Sequence, residues 1–378
     1  MSDKAIISTI HLDYLLSNYG SFWQHWCLRR YLKDKGFSVS RYAGVDGEFK
    51  YGKWLKSRIL DFLRAYIVWP LKRIPNRKSL SKNLLDEHRR TSGFIKEYRR
   101  LIGPLKENQE PCDDAVLVMG SDQNLNEFEK NWFSIFPDSA RRIMYAGSTD
   151  WKSQANNEKW LAIASSELPR FTAVSAREEA GLGICQQYSK VPVAHVVDPV
   201  MLVDPAVLKS QSCTRTMFKR DTLLCYMVNI RQAEDLHLEK LIAVAEKLGC
   251  DLKIIGLQGA AGFVPEEYTV IPSPTQFLGM IRDAKYMITN SFHGAVFALL
   301  YEKPFVCLRQ VCEAGCDQNT RQCELMEWTG LSKWVMPSCA DVDILTERLR
   351  TPFYYDVVRS AIESRRQSSR SWLEKALQ

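Results

Sequence analysis

The chain has 378 residues, 46% of them hydrophobic and 25% charged, with a formal net charge of +7 at pH 7. That length is too great for one small core and suits two compact domains, and the composition excludes a largely disordered chain. No apolar run reaches the roughly 18 to 20 residues of a membrane-spanning helix, and the polar, acidic N-terminal stretch reads as a first strand rather than a secretion signal. The eleven cysteines are irregularly spaced without a C-x-x-C pair, as expected of reduced thiols in a cytoplasmic chain. Cys307, Cys312, Cys316 and Cys323 form the only dense group, and their spacing matches no zinc pattern, so they read as core thiols.

Residues 5–10 are β-prone and lead through the polar turn Ser17-Asn18-Tyr19-Gly20 into a helix over residues 22–32, which Gly36 ends. Residues 38–42 form the next strand, completing the β-loop-α-β unit from which parallel sheets are built. Residues 53–102 break this rhythm. Over residues 50–106, sixteen Lys or Arg face four Asp or Glu, a local balance of +12 that leaves the rest of the chain slightly acidic. Leu55, Ile59, Leu63 and Ile67 recur at helical intervals among Lys56, Arg58 and Arg64. The expectation is an inserted helical pair covering the sheet with a solvated basic face. The alternative is a basic amphipathic helix lying on an anionic membrane through residues 53–80. No nucleic-acid recognition motif accompanies the charge.

Strand patterns resume at 115–119, 142–146, 171–175 and 193–197, and 202–221 reads as a linker. A second series occupies 223–228, 252–257, 268–271, 286–289 and 304–308, with helices over 235–248 and 274–283. The expected domains are residues 1–205 and 222–350, both α/β and Rossmann-like, with a helix over 351–378 packing back on the first. Ligands of such sheets sit at the carboxyl ends of the strands, which places them in a cleft between the halves.

Ile288-Thr289-Asn290-Ser291-Phe292-His293-Gly294 is the sharpest local signal. A strand ends and a helix begins there, so His293 would sit near a helix N-terminus that favours an anion, with Ser291 able to cap and Gly294 allowing close approach. A buried histidine joining two elements is the other reading. Val118-Met119-Gly120-Ser121-Asp122 delivers a small residue, a hydroxyl and a carboxylate to the cleft edge; Asp122 is a candidate general base, or equally an N-cap or sugar-positioning group. Arg177 follows another strand and can bind a carboxylate or phosphate bidentately, or pair with Glu178 or Glu179. His195 to Pro199 looks structural, while Asn319-Thr320-Arg321 offers a further anion clamp.

In order and spacing these pieces resemble the polysaccharide pyruvyl transferase family: Asn18-Tyr19-Gly20, Gly120-Ser121-Asp122-Gln123, Tyr145-Ala146-Gly147-Ser148, Ser175-Ala176-Arg177-Glu178, Asp198-Pro199 and Ser291-Phe292-His293-Gly294, extended by Lys303-Pro304-Phe305 and Asn319-Thr320-Arg321. The resemblance implies an architecture similar to glycosyltransferase-B and a transferase with phosphoenolpyruvate as donor and no cofactor. The acceptor would be a sugar, free or lipid-linked, of a surface, capsule or exopolysaccharide precursor. The family's histidine maps to His293 and its arginine to Arg177. Some members carry a basic residue where this chain has Ser291, so the missing charge would come from elsewhere, with Arg321 the candidate. Gly147 stands where alanine or serine is frequent.

On this resemblance His293 is the candidate acid, Asp122 the base or hydroxyl-orienting group, and Arg177 and Arg321 the anion clamps. Ser291, Gly294, Asn319, Gly120, Ser121, Asn18, Tyr19 and Gly20 would line the substrates. No metal is required. The main rival is a nucleotide-sugar glycosyltransferase of the same two-domain shape. A non-catalytic polysaccharide-assembly protein that binds membrane through the basic segment is the other.

Overall fold

The computed structural model describes residues 4–8, 16–42, 51–71, 77–104, 115–120, 125, 140–149, 158–230, 232–257, 263–310 and 319–378. Among these, β1 (Lys4–Ser8), β2 (Ser38–Tyr42), β3 (Ala115–Met119), β4 (Arg141–Gly147), β5 (Ala173–Ala176) and β6 (Val193–His195) form a parallel sheet in the order β2-β1-β3-β4-β5-β6. β7 (Thr222–Met227), β8 (Asp251–Gly256), β9 (Tyr286–Thr289), β10 (Phe305–Leu308) and β11 (Val335–Met336) form a second parallel sheet in the order β11-β10-β9-β7-β8. Strands β3 and β7 read as unbroken apolar runs because both faces are covered: Val116 to Met119 and Leu223 to Met227 are all buried. This is the two-sheet α/β architecture that the alternating pattern predicts.

Helix α1 (Tyr19–Asp34) starts three residues earlier than its apolar spacing indicates. Asn18 sets that start, its Oδ1 accepting from Gly20 N at 2.8 Å and Ser21 N at 3.3 Å. Gly36 follows the helix with φ +91°, the left-handed stop glycine adopts most easily. The basic insertion is indeed helical: α2 (Tyr51–Leu63) runs on through a π-turn to Leu71, and α3 (Arg77–Leu101) returns. It packs on α1 and the second half of the molecule. Arg90 Nη2 donates to Gly256 O at 2.8 Å, at the end of β8, and Glu97 accepts from Thr275 Oγ1 at 2.8 Å. Phe94, Ile95 and Tyr98 join Tyr19, Phe22 and Trp23 in one core with Phe277 and Phe297 of the second half. The largest core cluster therefore joins α1 and the insertion to the second sheet.

Two readings differ from the structure. Residues 268–271 form no strand; Thr269 makes one bridge to Ile254 while its hydroxyl turns back to Pro265 O at 2.8 Å. The helix expected over 235–248 is broken at His237, which adopts φ +49° and splits it into Ala233–Leu236 and α4 (Leu238–Leu248). The linker contains a turn of helix, Pro205–Lys209, capped by Asp204. The final helix, α5 (Tyr355–Leu377), lies against the first sheet, burying Leu373 and Leu377 beside Leu28, Tyr31 and Val116. Arg366 donates to Met201 O and Arg370 to Leu202 O.

Tyr19 stacks on Phe277 with ring centroids 4.3 Å apart, and its hydroxyl donates to Pro272 O at 2.7 Å. Phe277→Ala is expected to lower stability by about 3–5 kcal/mol, and Tyr19→Phe, which leaves a buried carbonyl unpaired, by about 1–3 kcal/mol. Urea unfolding measures both.

Candidate active site

Strand β6 ends at His195, and the chain runs on to Asp198, which caps the short turn Pro199–Met201. One carboxylate serves both halves of the molecule. Its Oδ1 accepts from Val200 N at 2.9 Å, closing the turn. Its Oδ2 accepts from Arg177 Nη1 at 2.5 Å and from Gln24 Nε2 at 2.6 Å, and lies 3.4 Å from His293 Nε2. Arg177 follows β5, Gln24 sits on α1, and His293 opens α6 (Phe292–Leu300) after β9. The carboxyl edges of the two sheets therefore meet at Asp198. Burial alone would raise its carboxyl, but His293, Arg177 and the Val200 N–H outweigh burial and hold it well below the usual carboxylate range.

Arg177 is held on every side. Its Nε donates to Glu178 Oε2 at 3.1 Å and its Nη2 to Ser148 Oγ at 2.6 Å, while the guanidinium carbon sits 4.3 Å from the Phe292 ring centroid. Ser148 Oγ in turn donates to Glu178 Oε1 at 2.5 Å. Ser148 reaches this position because β4 bulges between Met144 and Gly147, with Ala146 in the left-handed region at φ +54°. One guanidinium thus faces two carboxylates, leaving one excess negative charge beside the His293 ring.

Glycines shape the same spot. A Cβ on Gly20 would lie 2.2 Å from His293 Nδ1, so only glycine there lets α1 lie against the imidazole. Gln24, four residues on and so on the same face of α1, is the side chain that holds Asp198. A Cβ on Gly294 would meet Thr289 Oγ1 at 2.1 Å, so its missing side chain is filled by Thr289.

The remaining sequence candidates fall as follows. Asn18 caps α1, and Tyr19 bridges the halves through its ring and hydroxyl. Ser291 is the N-cap of α6 by position, but its side chain makes no capping bond. Asn319 clasps the backbone of Gln310, accepting from its N at 2.7 Å and donating to its O at 3.2 Å. Gly120 is half-buried just beyond β3, and Ser121 and Asp122 lie outside the described residues, as do Cys312 and Cys316. Among the described residues, no group of three or more His, Cys, Asp or Glu is arranged to hold a metal ion.

Beside the hub opens a crevice of about 350 Å³, mouth included, lined by Arg177, Asp198, Phe292, Arg321, Glu324 and Arg365 among others. His293 is buried behind Phe292, 6% exposed, and its Nε2 has no hydrogen-bond partner among the described residues. Sequence reading missed Gln24, Glu324 and Arg365 here and took Asp198 as purely structural. Arg365 comes from α5 and lies 4.7 Å over the Trp328 ring. Glu324 Oε2 accepts from Glu179 N at 3.0 Å. Burial raises the Glu324 carboxyl, that N–H lowers it, and the charges of Glu178, Glu179 and Glu327 raise it further, to about 7. Only the triplet spacing of Arg321 and Glu324 on one helix, α7 (Thr320–Trp328), signals this in the sequence.

Fold and site together define an α/β protein of two parallel sheets with a charged crevice beside their carboxyl edges. Its family model is the polysaccharide pyruvyl transferase, which matches residues 18–310; the chain belongs to this family and is a transferase of polysaccharide biosynthesis. No curated protein matches it in sequence. In fold it is similar to the N-terminal domain of a trehalose-6-phosphate phosphatase from Candida albicans, with TM-score 0.51, 8% identity, and 100% of this chain and 97% of that chain covered. It is also similar to a putative UDP-N-acetylglucosamine 2-epimerase from Listeria monocytogenes, with TM-score 0.50, 9% identity, and 97% and 91% covered. At such identity the likeness is one of fold alone.

Gly20→Ala is expected to push the His293 ring off Asp198 and lower turnover at least tenfold while the chain stays folded, checked by steady-state kinetics beside a thermal melt. Glu324 gives a pH signature. Its folded value of about 7 exceeds the unfolded value of about 4.3. Between those values the folded chain holds more proton than the unfolded one, so this group's contribution to stability falls as pH rises. Urea titrations at pH 5 and pH 7.5 should show wild type losing more stability across that interval than Glu324→Gln.

Proposed function

We propose that the protein moves the pyruvate group of phosphoenolpyruvate onto two hydroxyls of one sugar in a polysaccharide precursor, forming a cyclic ketal and releasing phosphate. The family match over residues 18–310 carries this reading. In the reaction, a proton adds to the methylene carbon of the donor, giving a methyl group and an oxocarbenium-like centre. One sugar hydroxyl bonds to that centre and gives up its proton. A second hydroxyl then displaces phosphate at the same carbon, and its proton leaves with the base. No cofactor enters the balance.

In this reading His293 supplies the proton and Asp198 is a positioning residue that fixes the ring. Arg177, with its donors committed to Asp198, Glu178 and Ser148, shapes the crevice wall and contributes field rather than a free fork. Arg321 and Arg365, both lining the crevice, would clamp the donor's phosphate and carboxylate, supplying the charge that Ser291 lacks. Glu324, with a carboxyl near 7, suits proton exchange with a sugar hydroxyl. Asp122 is retained as the proposed hydroxyl-orienting group. The proposed setting is the cytoplasm; no helix among the described residues is long and apolar enough to cross a membrane.

The test is phosphate release from phosphoenolpyruvate with a panel of sugar and lipid-linked acceptors. Acceptor-dependent release is expected, falling about 10²- to 10⁴-fold in His293→Ala, the usual range for loss of a general acid. Arg365→Ala should chiefly raise the KM for phosphoenolpyruvate. A folded protein that releases no phosphate with any acceptor, yet turns over a nucleotide sugar, would replace this reading with the glycosyltransferase one.

A further inference from the structure

We propose that the helical arm of residues 51–71 docks flat on the anionic surface of a lipid bilayer. The arm turns its apolar side away from the protein. Leu55, Ile59, Phe62, Leu63, Tyr66 and Ile67 recur at intervals of three and four, which places them on one face, and each is 40–56% exposed. Leu71, at the far end, is 78% exposed. The Phe62 and Tyr66 rings lie 4.6 Å apart on this face. Isolated exposed apolar residues are ordinary on a soluble protein, but a continuous stripe of this extent marks a contact surface.

The opposite face holds the arm to the body. Asp61, 9% exposed, lies 3.3 Å from His88 Nε2 on α3, and Arg58 Nη1 donates to Ser92 Oγ at 2.8 Å. The stripe therefore points outward because its polar back is pinned to α3, and α3 is itself clamped to the second half through Arg90 and Glu97.

Charge identifies the occupant. Lys53 and Lys56 are exposed along the arm, and with Arg58 and Arg64 against Asp61, the only acidic residue from 51 to 71, the segment carries a net charge of +3. A net positive segment carrying a strip of Leu, Ile, Phe and Tyr complements a surface that is apolar below and negatively charged above, which is an anionic leaflet. With several cations interspersed along so short a segment, the arm suits the interface and not the interior of the bilayer. A second copy of this chain would set the same cations against each other.

The experiment is flotation of the full-length protein with vesicles of phosphatidylcholine alone or with 30% phosphatidylglycerol. Binding to the anionic vesicles is expected to exceed that to neutral ones by about tenfold or more, and to fall in 0.5 M salt. Ile59→Glu with Phe62→Glu should lose about tenfold or more of that binding by removing the apolar contact, and Lys53→Glu with Lys56→Glu should lose the preference for anionic lipid. Circular dichroism melts matching wild type establish that both variants fold. Failure to float with anionic vesicles, or binding untouched by either variant pair, overturns the proposal. So does a lipid-free dimer, seen by light scattering, that Ile59→Glu with Phe62→Glu converts to monomer.

Discussion

A buried carboxylate with four claims on it organises this molecule. Asp198 closes its own turn through Val200 N, draws in Arg177 from β5 and Gln24 from α1, and faces His293 from the second sheet. Taking such a charge out of water is costly unless it is paired and hydrogen-bonded, and removing one partner of a buried pair commonly costs about 3–5 kcal/mol. The carboxylate is stable as an anion because three partners of its own half and His293 of the other surround it. The apolar core follows the same logic, since Tyr19 of the first half, Phe94 of the insertion and Phe277 of the second half belong to one cluster.

This constraint explains why short, common motifs share one chain. Gly20 makes room for His293, and Gln24, one turn on, fixes Asp198. The bulge at Ala146 and Gly147 brings Ser148 to Arg177, and Glu178 closes the ring. Segments that look like separate substrate-binding pieces in sequence are in large part the mutual supports of one histidine. The open chemistry lies next door, where Arg321, Glu324 and Arg365 line the crevice.

The sheets were legible because fully buried parallel strands leave continuous apolar runs, as in Val116–Met119 and Leu223–Met227. Helix α1 was legible except at its start, which depends on Asn18 turning its side chain back on the backbone. The break at His237 was not, because a single left-handed residue leaves no mark on hydrophobic spacing. At the site, His293 and Arg177 stood out through the polar or charged residues that follow a buried strand. Gln24 and Arg365 did not, since each sits on a helix otherwise read as structural and joins the site only through the tertiary fold. The outward stripe on α2 was visible as periodicity, but its direction depends on where Asp61 and Arg58 attach.

The most direct test of the Asp198 hub is a double-mutant cycle on kcat/KM for phosphate release, using Asp198→Asn, His293→Ala and the pair. If Asp198 acts through His293, each single change should cost about 100-fold or more and the double should cost little beyond the larger single effect. Losses that multiply in the double variant would mean that the two side chains serve the reaction independently, and that Asp198 does not work by positioning the histidine.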